Sequence, residues 1–173
     1  MMKRSNSILR EEFLTLRVSQ KILFSGIIYT ARDQAHKRLV ETIKKGGKLP
    51  IDLKDKIVYY CGPTKTPKGK AIGACGPTTS SRMDEFAPCL LEKGVLGMIG
   101  KGARSAEVKK AIKKYKGIYF LTYAGCGALL SKFVCKMRVA AYKDLGPEAI
   151  HELEVKDFPL IVGIDSLGRS IYG

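Results

Sequence analysis

Short apolar runs alternate with amphipathic stretches over most of the chain, and their spacing predicts the elements. Leu14–Val18 alternates as a strand would, and Ile22–Tyr29 is apolar and β-branched enough for a buried strand. A helix follows with Thr30 as its N-cap. Ala31, Ala35, Leu39 and Ile43 recur along one face, and Gly46-Gly47 ends it. After a loop from Pro50 to Asp55, Ile57–Cys61 reads as a short buried strand, and residues 62–70 are turn chemistry throughout. Ala71–Cys75 reads as a further strand. Gly76 to Arg82 opens a second helix with Met83, Phe86, Ala87, Leu90 and Leu91 on its apolar face. Val95–Ile99 is the next strand and runs into Gly100-Lys101-Gly102. A third helix starts near Ser105, burying Val108, Ala111, Ile112 and Tyr115, and Ile118–Tyr123 is the strand after it. A short helix opens over Ala124 to Ala128. Cys89 and Cys135 lie in helix-like apolar patterns, and Pro159–Asp165 with Arg169–Tyr172 forms a terminal strand-turn-strand. Strands alternating with helices predict an α/β layered domain.

At 173 residues this is one domain's length, with residues 1–11 expected as an N-terminal extension to it. No run approaches the roughly 18 apolar residues of a membrane span. Met1-Met2-Lys3-Arg4 leads straight into Arg10, Glu11 and Glu12 without an apolar region, which excludes a secretory signal. The odd count of five cysteines, none paired as C-x-x-C, fits a reducing, cytoplasmic compartment. Their wide spacing fits neither a ferredoxin run nor a zinc ribbon, so no metal ligand is assigned to this chain.

Charge changes the picture more. The net charge is +15, from 31 basic and 16 acidic residues, which invites a polyanion surface, a small-anion site or an acidic partner. The lysines at 109, 110, 113, 114 and 116 lie off the apolar face of the third helix. They form a solvated face without the interleaved aromatics of a stacking platform. A basic nucleic-acid-binding module remains an alternative, but no helix-turn-helix, RRM or zinc-finger signature supports it. So does a purely structural partner whose charge docks an acidic chain.

Three segments carry candidate chemistry, all where strands give way to helices. Thr30 to His36 starts a helix, where free N–H groups and the helix dipole attract anions, and Arg32 and His36 are spaced to share a face. In Gly76-Pro77-Thr78-Thr79-Ser80-Ser81-Arg82, four hydroxyls and a guanidinium exceed what a helix cap needs. In Gly100-Lys101-Gly102, flanking glycines let a ligand approach the backbone and leave the lysine unshielded. Together they suggest a small polyanionic ligand.

With Tyr60-x-Gly62-Pro63, Asp157-Phe158-Pro159 and Ile164-Asp165-Ser166-x-Gly168 added in the same order, the chain from about residue 12 to 173 resembles the β subunit of iron–sulfur fumarases and tartrate dehydratases. The resemblance implies a swivelling β/β/α three-layer domain that caps an active site built mainly by an α subunit. It implies a [4Fe–4S] cluster held by that partner and none held by this chain. Carried over, Arg32, Thr79, Arg82 and Lys101 bind a dicarboxylate, and Thr78 and His36 are the acid/base candidates. The implied activity is a hydro-lyase interconverting fumarate and malate, with the tartrate dehydratase β subunit as the alternative. The early end of the chain, compared with tartrate dehydratase β subunits, leans towards fumarase. The implied assembly is a hetero-oligomer that also allows homodimeric contacts, with no nucleic acid and no membrane. His151 stands where many relatives have tryptophan, and is assigned to packing or the surface.

Overall fold

The computed structural model describes residues 6–173, with side chains from Leu9 onward. Residues 1–5 of the expected extension lie outside the described residues. Beyond them the chain forms a helix, α1 (Asn6–Thr15), which drives Phe13 into the interior between the rings of Phe24 and Phe120. The strand expected over Leu14–Val18 is therefore the end of this helix and a turn. The alternation of Leu14, Leu16 and Val18 comes from residues that pack singly, with Leu16 resting against the interior cluster.

Six strands follow: β1 (Lys21–Thr30), β2 (Ile57–Tyr59), β3 (Gly97–Gly100), β4 (Ile118–Leu121), β5 (Val134–Ala141) and β6 (Ile150–Ile164). Strands β1, β2, β3 and β4 are parallel neighbours in that order. Strand β6 runs antiparallel to β1 along one edge. On its other edge it meets β4 through its C-terminal end and β5 through its N-terminal part. The pairing of β6 with both β1 and β4 closes β1-β2-β3-β4-β6 into a ring, and β5 extends it as an edge strand.

Because side chains alternate along a strand, the ring sorts its residues into two cores. Phe24, Tyr59, Ile99, Phe120, Val155 and Val162 fill the interior. Val58, Tyr60, Met98 and Tyr119 point outward, under the helices. Those helices are α2 (Asp33–Lys44), α3 (Ala87–Glu92) and α4 (Ala106–Tyr115). Leu39 of α2, Leu91 of α3 and Ile112 of α4 lie in the outer cluster and are all essentially unexposed. Truncating any of them to alanine would cost roughly 2–5 kcal/mol. The result is a mixed α/β domain with one six-stranded sheet.

Several boundaries differ from the pattern-based expectation. Thr30 ends β1, and its hydroxyl lies 3.1 Å from His151 Nδ1, so Arg32 takes the N-cap position of α2. His151 is accordingly buried and packed. The second helix begins as a 3₁₀ turn, Ser80–Met83, and becomes α-helical only at Ala87. Ala71–Cys75 is a loop, tied to Thr64 by backbone and hydroxyl bonds at Ala74 and to Gly127 at Cys75. Cys135 lies exposed on β5, not on a helix. The terminal strand begins at Ile150, nine residues before Pro159, and Arg169–Tyr172 is a turn with a single bridge from Ser170 to Ile164. Ser105 does cap α4, accepting from the Val108 N–H. The short helix after Ala124 is α5 (Gly127–Leu130).

Candidate functional site

All three chemical segments sit at the C-terminal ends of the parallel strands, the end at which both open and closed parallel α/β sheets present ligand sites. The backbone continues the sheet into this region. The Ala31 N–H donates to the Tyr59 carbonyl, Tyr60 to Ile99 and Thr122 to Gly100. The hydroxyl-rich loop then docks on the ends of two strands. Thr78 N–H donates to the Tyr60 carbonyl at 2.7 Å, and Thr79 forms a parallel bridge with Lys101. Ser80 is fully buried and locks this register twice. Its N–H donates to the Lys101 carbonyl at 3.0 Å, and its Oγ accepts from the Lys101 N–H at 3.0 Å. A Cβ at Gly100 would lie 1.9 Å from Ser80 Oγ, so only glycine permits the two loops to meet.

Arg32 and Arg82 are joined by one carboxylate. Arg82 grips Asp33 with Nε at 3.1 Å and Nη2 at 2.9 Å, while its side chain stays half-exposed. Arg32 approaches the same carboxylate at 3.9 Å and Glu148 at 3.6 Å. Glu148 also accepts from the Gln34 N–H and so caps α2, a role no side chain at the N-cap position fills. Gly62 floors the guanidinium: a Cβ there would lie 2.9 Å from Arg32 Cδ and Nη1. The Nε of Arg32 is buried and has no hydrogen-bond partner among the described residues. Such an orphaned charged donor costs free energy unless something else accepts from it. Lys101 is half-buried, and no described residue is hydrogen-bonded or ion-paired to its ammonium. Thr78 is partly exposed and Thr79 is exposed, both on the same loop.

His36 is placed differently from the expectation of a face shared with Arg32. Arg32 precedes the helix, whereas His36 is fully buried against Tyr60 and Phe86. Its Nδ1 lies 2.8 Å from the Arg32 carbonyl, which can only accept, so Nδ1 carries the proton. Nε2 is then an unprotonated, buried atom without a partner among the described residues. Burial, together with the nearby Arg104 cation, pulls the imidazole down to about 4 against the opposing effect of its bond to Arg32. His36 is therefore neutral near pH 7.

The sequence pattern did not mark Asp33, Glu148 or Asp84 as the carboxylates that organise the cations, nor Arg104. Arg104 is almost wholly buried, ion-paired to Asp84 at 2.6 Å. The only signal for it was an arginine shortly after Gly102, which reads as a solvated surface residue.

The cysteines do not fit an iron–sulfur cluster. Cys61 and Cys75 are buried in the ring's interior cluster, where burial pushes the Cys75 thiol up to about 12 and the Cys61 thiol higher still. Cys135 lies exposed on the edge strand β5. Among the described residues no group of three or more His, Cys, Asp and Glu side chains could hold a metal ion. No helix among them is long and apolar enough to cross a membrane.

Fold and site together define a mixed α/β domain with two guanidiniums, an ammonium and hydroxyls at its strand ends, donors whose chemistry can bind a carboxylate. Residues 2–173 match the family described as Fumarase C-terminus. The chain is 36% identical over 173 residues to the aerobic class I fumarate hydratase of Salmonella typhimurium, covering 99% of this chain and 30% of that protein. It is 40% identical over 157 residues to the aerobic class I fumarate hydratase of Escherichia coli K12, covering 90% of this chain and 29% of that protein. A Methanocaldococcus jannaschii chain provisionally named L(+)-tartrate dehydratase subunit beta is 38% identical over 173 residues, with 96% of this chain and 89% of that one covered. The chain spans about 30% of the length of the fumarate hydratases it matches. It belongs to the Fumarase C-terminus family.

Proposed function

We propose that this chain is the β subunit of a two-chain hydro-lyase that reversibly hydrates fumarate to malate, and that its strand-end cluster binds the dicarboxylate. The observation that carries this reading is the buried Nε of Arg32, which has no hydrogen-bond partner among the described residues and only a 3.9 Å approach to Asp33, together with the ammonium of Lys101, to which no described residue is hydrogen-bonded or ion-paired. Both are charged donors at a ligand-binding position of the sheet, and a substrate carboxylate satisfies them with charge-assisted bonds. In the proposed arrangement Arg32, Arg82 and Lys101 hold the two carboxylates, and Thr79 adds a hydroxyl from the exposed side of its loop. Thr78 moves the proton at the carbon next to one carboxylate, while the hydroxyl group leaves from or joins the neighbouring carbon. A threonine hydroxyl is a weak base by itself, so the surrounding cations must stabilise its oxyanion. His36, the second acid/base candidate by resemblance, is buried and neutral. Its geometry supports holding the Arg32 carbonyl, and with it the N-cap residue of α2.

The thiols of this chain offer no cluster site, so the [4Fe–4S] cofactor belongs in this proposal to a larger, cysteine-bearing α subunit, and no step by this chain's residues runs through it. The swivelling three-layer arrangement and a cytoplasmic location are part of the same reading. Tartrate dehydration is the second reading, favoured by the similarity to a relative of subunit length that this chain covers at 89%.

Co-expression with the α subunit tests the proposal. The purified complex should hydrate fumarate, and neither chain should do so alone. Turnover of L-tartrate with none of fumarate would select the second reading. A complex inactive on both would refute the site assignment.

A further inference from the structure

We infer that Arg104, which lies beneath the strand-end cluster, is the positioning residue of the dicarboxylate site. This rests on the reading of that site given above. The Arg104 side chain is unexposed, and a buried guanidinium is costly unless its partners are well placed. Its Nε donates to Asp84 Oδ1 at 2.6 Å, while Asp84 Oδ2 accepts from the Ser105 N–H at 2.7 Å. Its Cζ lies over two tyrosine rings, 5.2 Å from the Tyr60 centroid and 4.8 Å from that of Tyr119.

Each of these partners leads to a different group of the site. The Tyr60 carbonyl accepts from Thr78 N–H, which fixes the start of the hydroxyl loop. The Tyr119 hydroxyl lies 2.8 Å from Ser80 Oγ and 2.9 Å from the Gly102 carbonyl, so it spans both loops around Lys101. Asp84 immediately follows the 3₁₀ turn that carries Arg82. One buried cation thus sets Thr78, Arg82 and Lys101 against each other without touching the ligand. A guanidinium does this and an ammonium does not, because its Nε donates to Asp84 while its delocalised charge lies over both tyrosine rings, which one compact point charge cannot reproduce.

Amide hydrogen exchange in the full chain, with Arg104→Lys and Tyr119→Phe, tests this without recourse to activity. Arg104→Lys should speed exchange at Thr78, Ser80 and Lys101 at least tenfold and leave the β3 and β4 ladder amides unchanged. Tyr119→Phe, which removes one hydroxyl, should do so at Ser80 and Lys101 alone. Unchanged exchange at these amides would overturn the inference, and so would acceleration spread evenly over the sheet. If Arg104→Lys does not fold, the Tyr119→Phe pattern decides. In the co-expressed complex, Arg104→Lys should lower kcat/KM for fumarate at least tenfold with the subunits still associated. An inactive wild-type complex would refute the substrate reading and leave the exchange result standing.

Discussion

Replacing Arg82 with alanine separates a ligand clamp from a structural ion pair. In the free chain its guanidinium is committed to Asp33 through two bonds, at 3.1 and 2.9 Å, with half of the side chain in water. An ion pair this exposed contributes at most about 1 kcal/mol to folding. In a domain of this size that corresponds to about 2–4 °C in melting temperature. A charged contact to a substrate carboxylate is worth more, roughly 1.5–3 kcal/mol. Since about 1.36 kcal/mol is a factor of ten, Arg82→Ala should lower kcat/KM for fumarate by about ten- to more than a hundredfold in the two-chain complex. Arg82→Lys should recover little, because an ammonium cannot bridge both oxygens of Asp33 and also meet a carboxylate in a fork. Paired measurements of melting temperature and kcat/KM decide. A folded complex with near-wild-type kinetics would refute the clamp, as would a kinetic loss wholly matched by dissociation of the subunits.

Three further outcomes follow from particular side chains. His36 is held at about 4 when folded and rises to its ordinary 6.5 on unfolding, so the unfolded chain binds the extra proton and stability falls as pH drops through that interval. The loss approaches about 3 kcal/mol below pH 4, and urea titrations at several pH values should show a flatter slope in His36→Phe. Gly100→Ala should destabilise the chain by roughly 1–3 kcal/mol, because its methyl would collide with Ser80 Oγ, and Ser80→Gly in the same chain should recover part of that loss in thermal melts. Thiol labelling under native conditions should modify Cys135 readily and spare Cys61 and Cys75 until the chain unfolds.

How legible these features were in the sequence depended on whether local chemistry or distant pairing fixed them. Strands β2, β3 and β4 are short apolar runs bounded by turn residues, and α2 and α4 have clean helical periods, so all five stood out. The site segments stood out for the same reason: glycines, hydroxyls and cations lay where the periodicity broke. Strand β6 was seen only from Pro159 onward. Its inward residues Leu153 and Val155 do alternate, but Asp157 and Pro159, both poor strand formers, read in sequence as a boundary, and in the structure Asp157 does take a positive φ of 54°. The chain runs straight through because the irregularity is matched across the pair by the register shift between Phe24 and Gly26 of β1. Ala71–Cys75 misled in the opposite direction: it is apolar because Ile72 and Cys75 fill the ring's interior, yet its backbone bonds go to Thr64 and to Gly127 at the start of α5, not to a strand. Asp33, Asp84, Glu148 and Arg104 act through partners 20 to over 100 residues away, and no local pattern encodes such pairs.

The most direct test of the dicarboxylate site compares two lysines of equal charge in the co-expressed complex. Lys101 lies at the strand ends beside the Thr78 loop, and Lys110 is exposed on α4. Lys101→Met should lower kcat/KM for fumarate at least tenfold, and Lys110→Met should leave it at the wild-type value. Equal effects from the two variants, or none from Lys101→Met, would contradict a dicarboxylate site at the ends of these strands.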